Sequence, residues 1–247
     1  MTRLQVVNPN STASMTATIG AAARAVAAPG TEVVAVTSTS GPVSIESHYD
    51  EVLAAPGLLS VVSDDPEADA HVIACFGDPG LDAAREVARG PVVGIAEAAM
   101  RTALYLGRGL SVVTTLARTA GRAEELAHRY GAAHGCRRVR ACEVPVLALE
   151  DPGSGARDVI LRECRAAVAD DDADVIVLGC AGMADLCDWL TGELGVPVLD
   201  GVAAATRAAE SLVALGVTSS RRSEYAPPPR KPGSGSTSPA HGETRSS

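Results

Sequence analysis

Apolar residues fall along this chain in short clusters divided by polar turns. Leu4-Gln5-Val6-Val7 reads as a buried strand, and Asn8-Pro9-Asn10-Ser11-Thr12 after it reads as a turn able to cap a helix. A small-residue helix is predicted over 14–28 and a second strand over 31–37. Residues 49–63 read as helix, broken near Pro56-Gly57. A short apolar strand over 70–74 then delivers Cys75. Strands alternating with helices predict βαβ units and a parallel sheet.

The second half repeats this plan. Leu110-Ser111-Val112-Val113 is a strand ending in Thr114-Thr115, followed by a helix reaching Tyr130. A strand over 174–178 delivers Gly179-Cys180. Each cysteine is followed by a helix, an apolar strand (Gly90-Pro91-Val92-Val93 or Val196-Pro197-Val198-Leu199) and an alanine-rich segment. The strand starts Leu4 and Leu110 lie 106 residues apart, and the cysteines 105. Two landmarks with nearly one offset predict an internal duplication. Ligands of open parallel sheets bind beyond the carboxyl ends of the strands, where both cysteines fall. Two equivalent domains facing each other would bring both thiols to one cleft.

Composition narrows the chemistry. The 247 residues suit two domains of roughly 100 residues each. Apolar residues make up 46 % and aromatics 2 %, so the core must rest on close packing of small side chains. A net charge of −9 argues against a nucleic-acid partner. The sequence has no apolar run long enough for a membrane span and no signal-peptide pattern at its start, so the cytoplasm is the expected location and its six cysteines should be reduced. No Cys-x-x-Cys pair points to zinc, and no metal site is expected. The single lysine, Lys231, lies in a Pro/Gly/Ser-rich tail, which argues against a pyridoxal-phosphate Schiff base and against a P-loop. Residues 219–247 are expected to be a disordered tail.

A thiolate is a competent base and a thiol a competent acid. A predicted helix follows each cysteine, and its dipole would favour the thiolate. One sulfur on each face of a carbon centre would invert configuration without a cofactor. Glycines beside them, as in Cys75-Phe76-Gly77 and Gly179-Cys180-Ala181-Gly182, allow close backbone approach to a ligand. A buried Cys at a strand end is more often a small hydrophobe, and Cys136, Cys142, Cys164 and Cys187 are read that way. The duplicated placement sets Cys75 and Cys180 apart. His48-Tyr49-Asp50 reads as a helix start, and Asn10 as both a helix cap and a ligand contact.

Taken together, these landmarks resemble the aspartate/glutamate/hydantoin racemase superfamily, and its hydantoin and allantoin branch in particular. The likeness runs from residue 4 to about 228. It is carried by Val7-Asn8-Pro9-Asn10-Ser11, by Gly41-Pro42 through Ile45-Glu46 to His48-Tyr49-Asp50-Glu51, by the long motif from Ile73 to Arg85, and by Val177-Leu178-Gly179-Cys180-Ala181-Gly182-Met183. The resemblance implies two flavodoxin-like α/β domains with the active site between them, and Cys75 and Cys180 as the proton donor and acceptor. It implies substrate contacts from Asn10, Ile45, Phe76, Gly77, Thr114, Thr115, Gly179 and Ala181. It also implies interleaved domains: 1–97 with 203–218, and 98–202. The amino-acid racemases of the superfamily tend to carry Cys-Asn-Thr and Cys-Thr-His or Cys-Thr-Glu at the two cysteines. The less polar surround here suits a cyclic diamide such as a 5-substituted hydantoin. The expectation is therefore a cofactor-independent isomerase acting on a small molecule, as a homo-oligomer of open order. The alternatives are an amino-acid racemase, a maleate isomerase or decarboxylase on the same scaffold, or a binding module without turnover.

Overall fold

Strands β3 (Ala70–Ile73) and β7 (Val175–Leu178) are buried at every residue, as expected of central strands covered on both faces. The computed structural model describes residues 1–229. In the first half, β1 (Thr2–Asn8), β2 (Thr31–Thr37), β3 and β4 (Val92–Gly94) form a parallel sheet in the order β2-β1-β3-β4. In the second, β5 (Leu110–Thr114), β6 (Cys136–Ala141), β7 and β8 (Val198–Asp200) form a parallel sheet in the order β6-β5-β7-β8. Register follows suit: Leu4 pairs with Val33 and Ala70, and Leu110 with Cys136 and Val175. The strand order is thus the same in both sheets, as a duplication requires.

Helices α1 (Ala13–Val26), α2 (His48–Asp64), α3 (Leu81–Val87) and α4 (Ile95–Leu106) belong to the first half in sequence. Helices α5 (Ala120–Arg129), α6 (Ala156–Asp170), α7 (Cys187–Leu194) and α8 (Gly201–Ala214) belong to the second. Two of them cross over. α8 returns to pack on β1, β3 and β4, while α4 packs on β5, β7 and β8 as well as on β4, and the two helices lie against each other. Both are alanine-rich on their buried faces (Ala96, Ala98, Ala99, Ala103; Ala205, Ala209), which permits the close approach. At the closest point the backbone of Ile95 leaves no room for a Cβ on Gly201.

Helix α2 is continuous through Pro56, where a break is expected from sequence. Pro56 removes one hydrogen bond, to Val52, but both residues are exposed and water can take the freed carbonyl. Gly57 serves packing instead: a Cβ there would lie 2.3 Å from Ser38 Oγ and from Ser40 O. The start of α2 is a reciprocal cap. Ser47 Oγ accepts from Asp50 N, and the Asp50 carboxylate accepts from Ser47 Oγ and Glu46 N.

The segment after α8 also differs from expectation. Residues 219–225, grouped above with a disordered tail, pack on α3: Arg221 donates to the carbonyls of Glu86 and Ala88, and Tyr225 Oη donates to Asp82. One arginine side chain and one tyrosine hydroxyl tie this stretch down. Of the expected tail, residues 230–247 lie outside the described residues. Among the described residues no helix is long and apolar enough to cross a membrane.

One buried titratable group lies far from the cysteines. His71 on β3 is 1 % exposed, with Nδ1 2.9 Å from Gln5 Oε1. Burial pushes its pKa down to about 4. Its contribution to stability is therefore complete above the unfolded pKa of about 6.5 and is lost as pH falls toward the folded value. Between pH 7 and 5 this linkage amounts to about 2 kcal/mol. The buried carboxyls of Asp78 and Asp200, raised by burial to about 6, act in the opposite direction over the same range. Urea unfolding of the wild type and of His71→Asn at both pH values separates them, because the aspartates are common to both proteins. The variant should lack about 2 kcal/mol of acid destabilisation; identical pH profiles would refute the assignment to His71.

Candidate active site

The carboxyl ends of β1, β3, β5 and β7 converge on one cavity of about 630 Å³, mouth included. β3 supplies Ala74, Cys75, Phe76 and Gly77; β7 supplies Gly179, Cys180 and Ala181; β5 supplies Thr114 and Thr115; the turn after β1 supplies Asn10. Ile45 and Ser47, from the loop before α2, and Val146 close over them. The residues expected from sequence to contact substrate, namely Asn10, Ile45, Phe76, Gly77, Thr114, Thr115, Gly179 and Ala181, all line this cavity with the two cysteines. Met15, Ser47, Glu51, Ala74, Thr119, Ala123 and Val146 line it too and are absent from that expectation. Of these, only Ala74, inside the motif from Ile73 to Arg85, and Glu51, as the last residue of the His48-Tyr49-Asp50-Glu51 run, carry a sequence signal. Val146 and Ala123 are ordinary apolar residues whose part depends on how the halves meet.

Both strand ends are tightly set. Gly179 N donates to Val113 O, and Thr114 Oγ1 donates to Gly179 O. A Cβ on Gly179 would lie 2.8 Å from Thr114 Cβ, so the position is closed to any larger residue. Asn10 does not cap α1, contrary to the reading from sequence. Its Oδ1 accepts from Thr12 N and from Asn8 Nδ2, in a turn that precedes the helix. The cap residue is Thr12, whose side chain makes no capping bond. The roof is latched across the halves by Glu46, whose carboxylate accepts from Val146 N at 2.9 Å. His48, exposed at the start of α2, is not among the lining residues; its Nδ1 lies 3.9 Å from Glu51.

The electrostatics of the two sulfurs differ from the helix-dipole expectation. Neither cysteine opens the first turn of an α-helix. α3 begins six residues after Cys75, and a 3-10 turn over Ala181–Leu186 separates Cys180 from α7. Burial pushes the Cys75 thiol up to about 12 and the Cys180 thiol up to about 11. One backbone donor opposes burial at each site: the N–H of Gly77 on Cys75, and the N–H of Gly182 on Cys180. The two halves therefore present the same device, Cys-x-Gly, with the glycine amide turned onto the sulfur. Cys75 also senses Cys180 across the cavity, while the charge that Cys180 senses is Glu46. Charge on Cys180 raises Cys75 further, so a thiolate at Cys180 holds the Cys75 proton in place.

The Cys75 loop is fastened to neighbours on both sides. Asp78, buried at φ 45°, accepts from Ala96 N, Glu97 N and Tyr130 Oη. It thereby caps α4 in place of that helix's own N-cap, Gly94, where a Cβ would lie 2.3 Å from the Asp78 carboxyl carbon. The equivalent helix α8 is capped by its own Asp200, through Val202 N and Ala203 N. Among the described residues no group of three or more His, Cys, Asp or Glu side chains is arranged to hold a metal ion.

The chain is thus a parallel α/β fold built twice, with a thiol at the same strand end in each half and both thiols on one cavity. Residues 4–209 match the family model described as Asp/Glu/Hydantoin racemase, and the chain belongs to that family. It is 47 % identical to the hydantoin racemase of Rhizobium meliloti over 94 % of this chain and 97 % of that one. It is 45 % identical to the hydantoin racemase of Pseudomonas sp. (strain NS671), covering 93 % of each. Among solved structures, allantoin racemase from Klebsiella pneumoniae superposes with a TM-score of 0.92 at 52 % identity, covering 94 % of this chain and 95 % of that one.

Proposed function

We propose that this chain racemises 5-substituted hydantoins, allantoin among them, with no cofactor, by passing one proton between Cys75 and Cys180. The observation that carries the reading is the lining of the cavity. Two thiols delivered by equivalent strands share it; among the described residues the one carboxylate on its wall is Glu51, already paired with Arg122 behind it, and no arginine or lysine lines the cavity. A free amino acid would bring a carboxylate into this space with no unpaired cation on the wall to meet it. A hydantoin brings a neutral ring whose amides can pair with the polar groups of Asn10, Thr114, Thr115 and Ser47. Its C5 substituent would lie toward Ile45, Phe76 and Val146. The named activities of the relatives point to the same substrates.

In the reaction, the thiolate on one side takes the C5 proton, and the adjacent ring carbonyl takes up the negative charge. The thiol on the other side then delivers its own proton to the opposite face. The charge resides on one sulfur before and on the other after, so the site returns to an equivalent state for the reverse reaction. The same arrangement supports a division of the chain into 1–97 with 203–218, and 98–202, because α8 covers the first sheet and α4 reaches the second.

Polarimetry on enantiopure 5-substituted hydantoins, allantoin, aspartate and glutamate tests the reading. Rotation should decay to zero for one or more of the hydantoins and persist for both amino acids. Decay with aspartate or glutamate alone would overturn it.

A further inference from the structure

We propose that Arg122 and Glu51 act as a positioning pair that holds the Cys75 loop and sets the reactivity of Cys75 apart from that of Cys180; this rests on the two-cysteine reading above. Arg122 belongs to α5, in the second half of the chain, yet its guanidinium reaches the first half. Its Nη2 and Nε donate to the carbonyl of Gly77 at 3.0 and 3.3 Å. Its Nε also lies 3.6 Å from Glu51 Oε1. Glu51 in turn lies flat on Gly77, since a Cβ at that glycine would be 2.5 Å from Oε1. Gly77 is thus held from both sides by an ion pair, and its amide is the one turned onto the Cys75 sulfur. Both partners are largely shielded, with side-chain exposures of 25 % and 19 %, so the pair is stronger than a surface one.

Among the described residues no ion pair packs against Gly182 in the Cys180 loop, and the charged group acting on Cys180 is Glu46, whose carboxylate accepts from Val146 N. There Gly182 is packed by the apolar Leu149, and α1 covers the 3-10 turn after Cys180. The charged and titratable groups around Cys75 are Glu51, Asp78 and Cys180; those around the pair are Glu125, 3.5 Å from Arg122, and the exposed His48. Glu51 is the one whose charge on the Cys75 thiolate the guanidinium offsets. With the arginine present, the carboxylate is balanced and the amide is fixed. Without it, an unbalanced carboxylate faces the thiolate and the amide is free to turn away. Removing the carboxylate alone relieves the repulsion. The two single variants should therefore move Cys75 in opposite directions.

The test is alkylation of the full-length protein by iodoacetamide at about pH 8.5, with the rate at each cysteine read from its own peptide by mass spectrometry. Cys180 in the same molecule is the internal reference and reports an intact site. A tenfold change in thiolate fraction is partly offset by the altered nucleophilicity of the sulfur, leaving about a threefold change in rate. Arg122→Gln should slow Cys75 relative to Cys180 by about threefold, and the near-isosteric Glu51→Gln should speed it by a similar factor. An unchanged ratio in both variants, or a ratio that rises in both as a merely loosened loop would give, overturns the proposal. Failure of the two-cysteine reading appears separately, as racemisation that survives Cys75→Ser, and leaves the alkylation result unaffected.

Discussion

Cys75→Ser and Cys180→Ser should each reduce racemisation of a responsive hydantoin by about 10³-fold or more. A serine hydroxyl is far too weak an acid to supply an alkoxide at neutral pH, and the carboxylate nearest the Cys75 end, Glu51, is engaged by Arg122. Each variant keeps one sulfur, so each should still exchange the C5 proton for deuterium in one enantiomer with retention, and the responsive enantiomer should differ between them. Mass spectrometry of recovered substrate reads the exchange, and polarimetry reads the inversion. Wild-type racemisation by either variant would end the two-base account. The same sulfurs predict a pH dependence. With both thiols pushed above the ordinary cysteine range by burial, most molecules at pH 7 hold two protonated sulfurs. The active form carries one thiolate, so kcat/KM in both directions should climb from pH 7 to pH 9 with a slope near one and show no plateau near pH 8.5. A flat profile over that range would show that the thiolate is already formed in the free protein.

The largest loss of stability is expected at Asp78. Asp78→Ala leaves two amides of the first turn of α4 uncapped and the Tyr130 hydroxyl, now buried, without its acceptor. A lost cap is worth about 1 kcal/mol and each orphaned buried donor about 1–3, so the sum should be about 3 kcal/mol. For a chain of this size that lowers Tm by roughly 6–12 °C. Asp78→Asn keeps one carbonyl acceptor but turns an amide donor toward groups that also donate, and it should recover less than half of the loss. Differential scanning calorimetry decides this, and an unchanged Tm in the alanine variant would show that α4 is held by its apolar face alone. Because Asp78 follows Cys75 by three residues, the alanine variant should also lose activity below its Tm.

The parts of the fold legible in the sequence are those where one physical signal dominates. Central strands of a parallel sheet are continuous apolar runs, so β1, β3, β5 and β7 stand out, and with them the two cysteines at their ends. Edge strand β6 does not. It reads Cys-Arg-Arg-Val-Arg-Ala, and its arginines find partners only in the folded chain, as Arg140 does in Asp171. The duplication itself would place both β6 and α6, since they lie about 106 residues after β2 and α2. Composition hid Arg122 for a different reason. On an amphipathic helix an arginine reads as solvated surface, and only the packing of α5 on the opposite half turns it inward. The helix-dipole argument failed at the cysteines because it assumed that a helix starts where the strand stops. The loop from Gly77 to Gly80 and the 3-10 turn after Cys180 intervene, and single glycine amides take over the task.

The repeated Cys-x-Gly corners bear on a demand peculiar to interconverting mirror images. The equilibrium constant between enantiomers is one, so the catalyst must serve left- and right-handed ligands with equal efficiency, although it is itself built of one hand only. No protein can offer a reflection. A half-turn about an axis lying in the plane of a flattened carbanion exchanges its two faces, and a gene joined to its own copy supplies that rotation with ordinary L-residues. On the two-cysteine reading, two copies of one strand order, each ending in a thiol, would provide the geometric operation that the thermodynamics of the reaction requires.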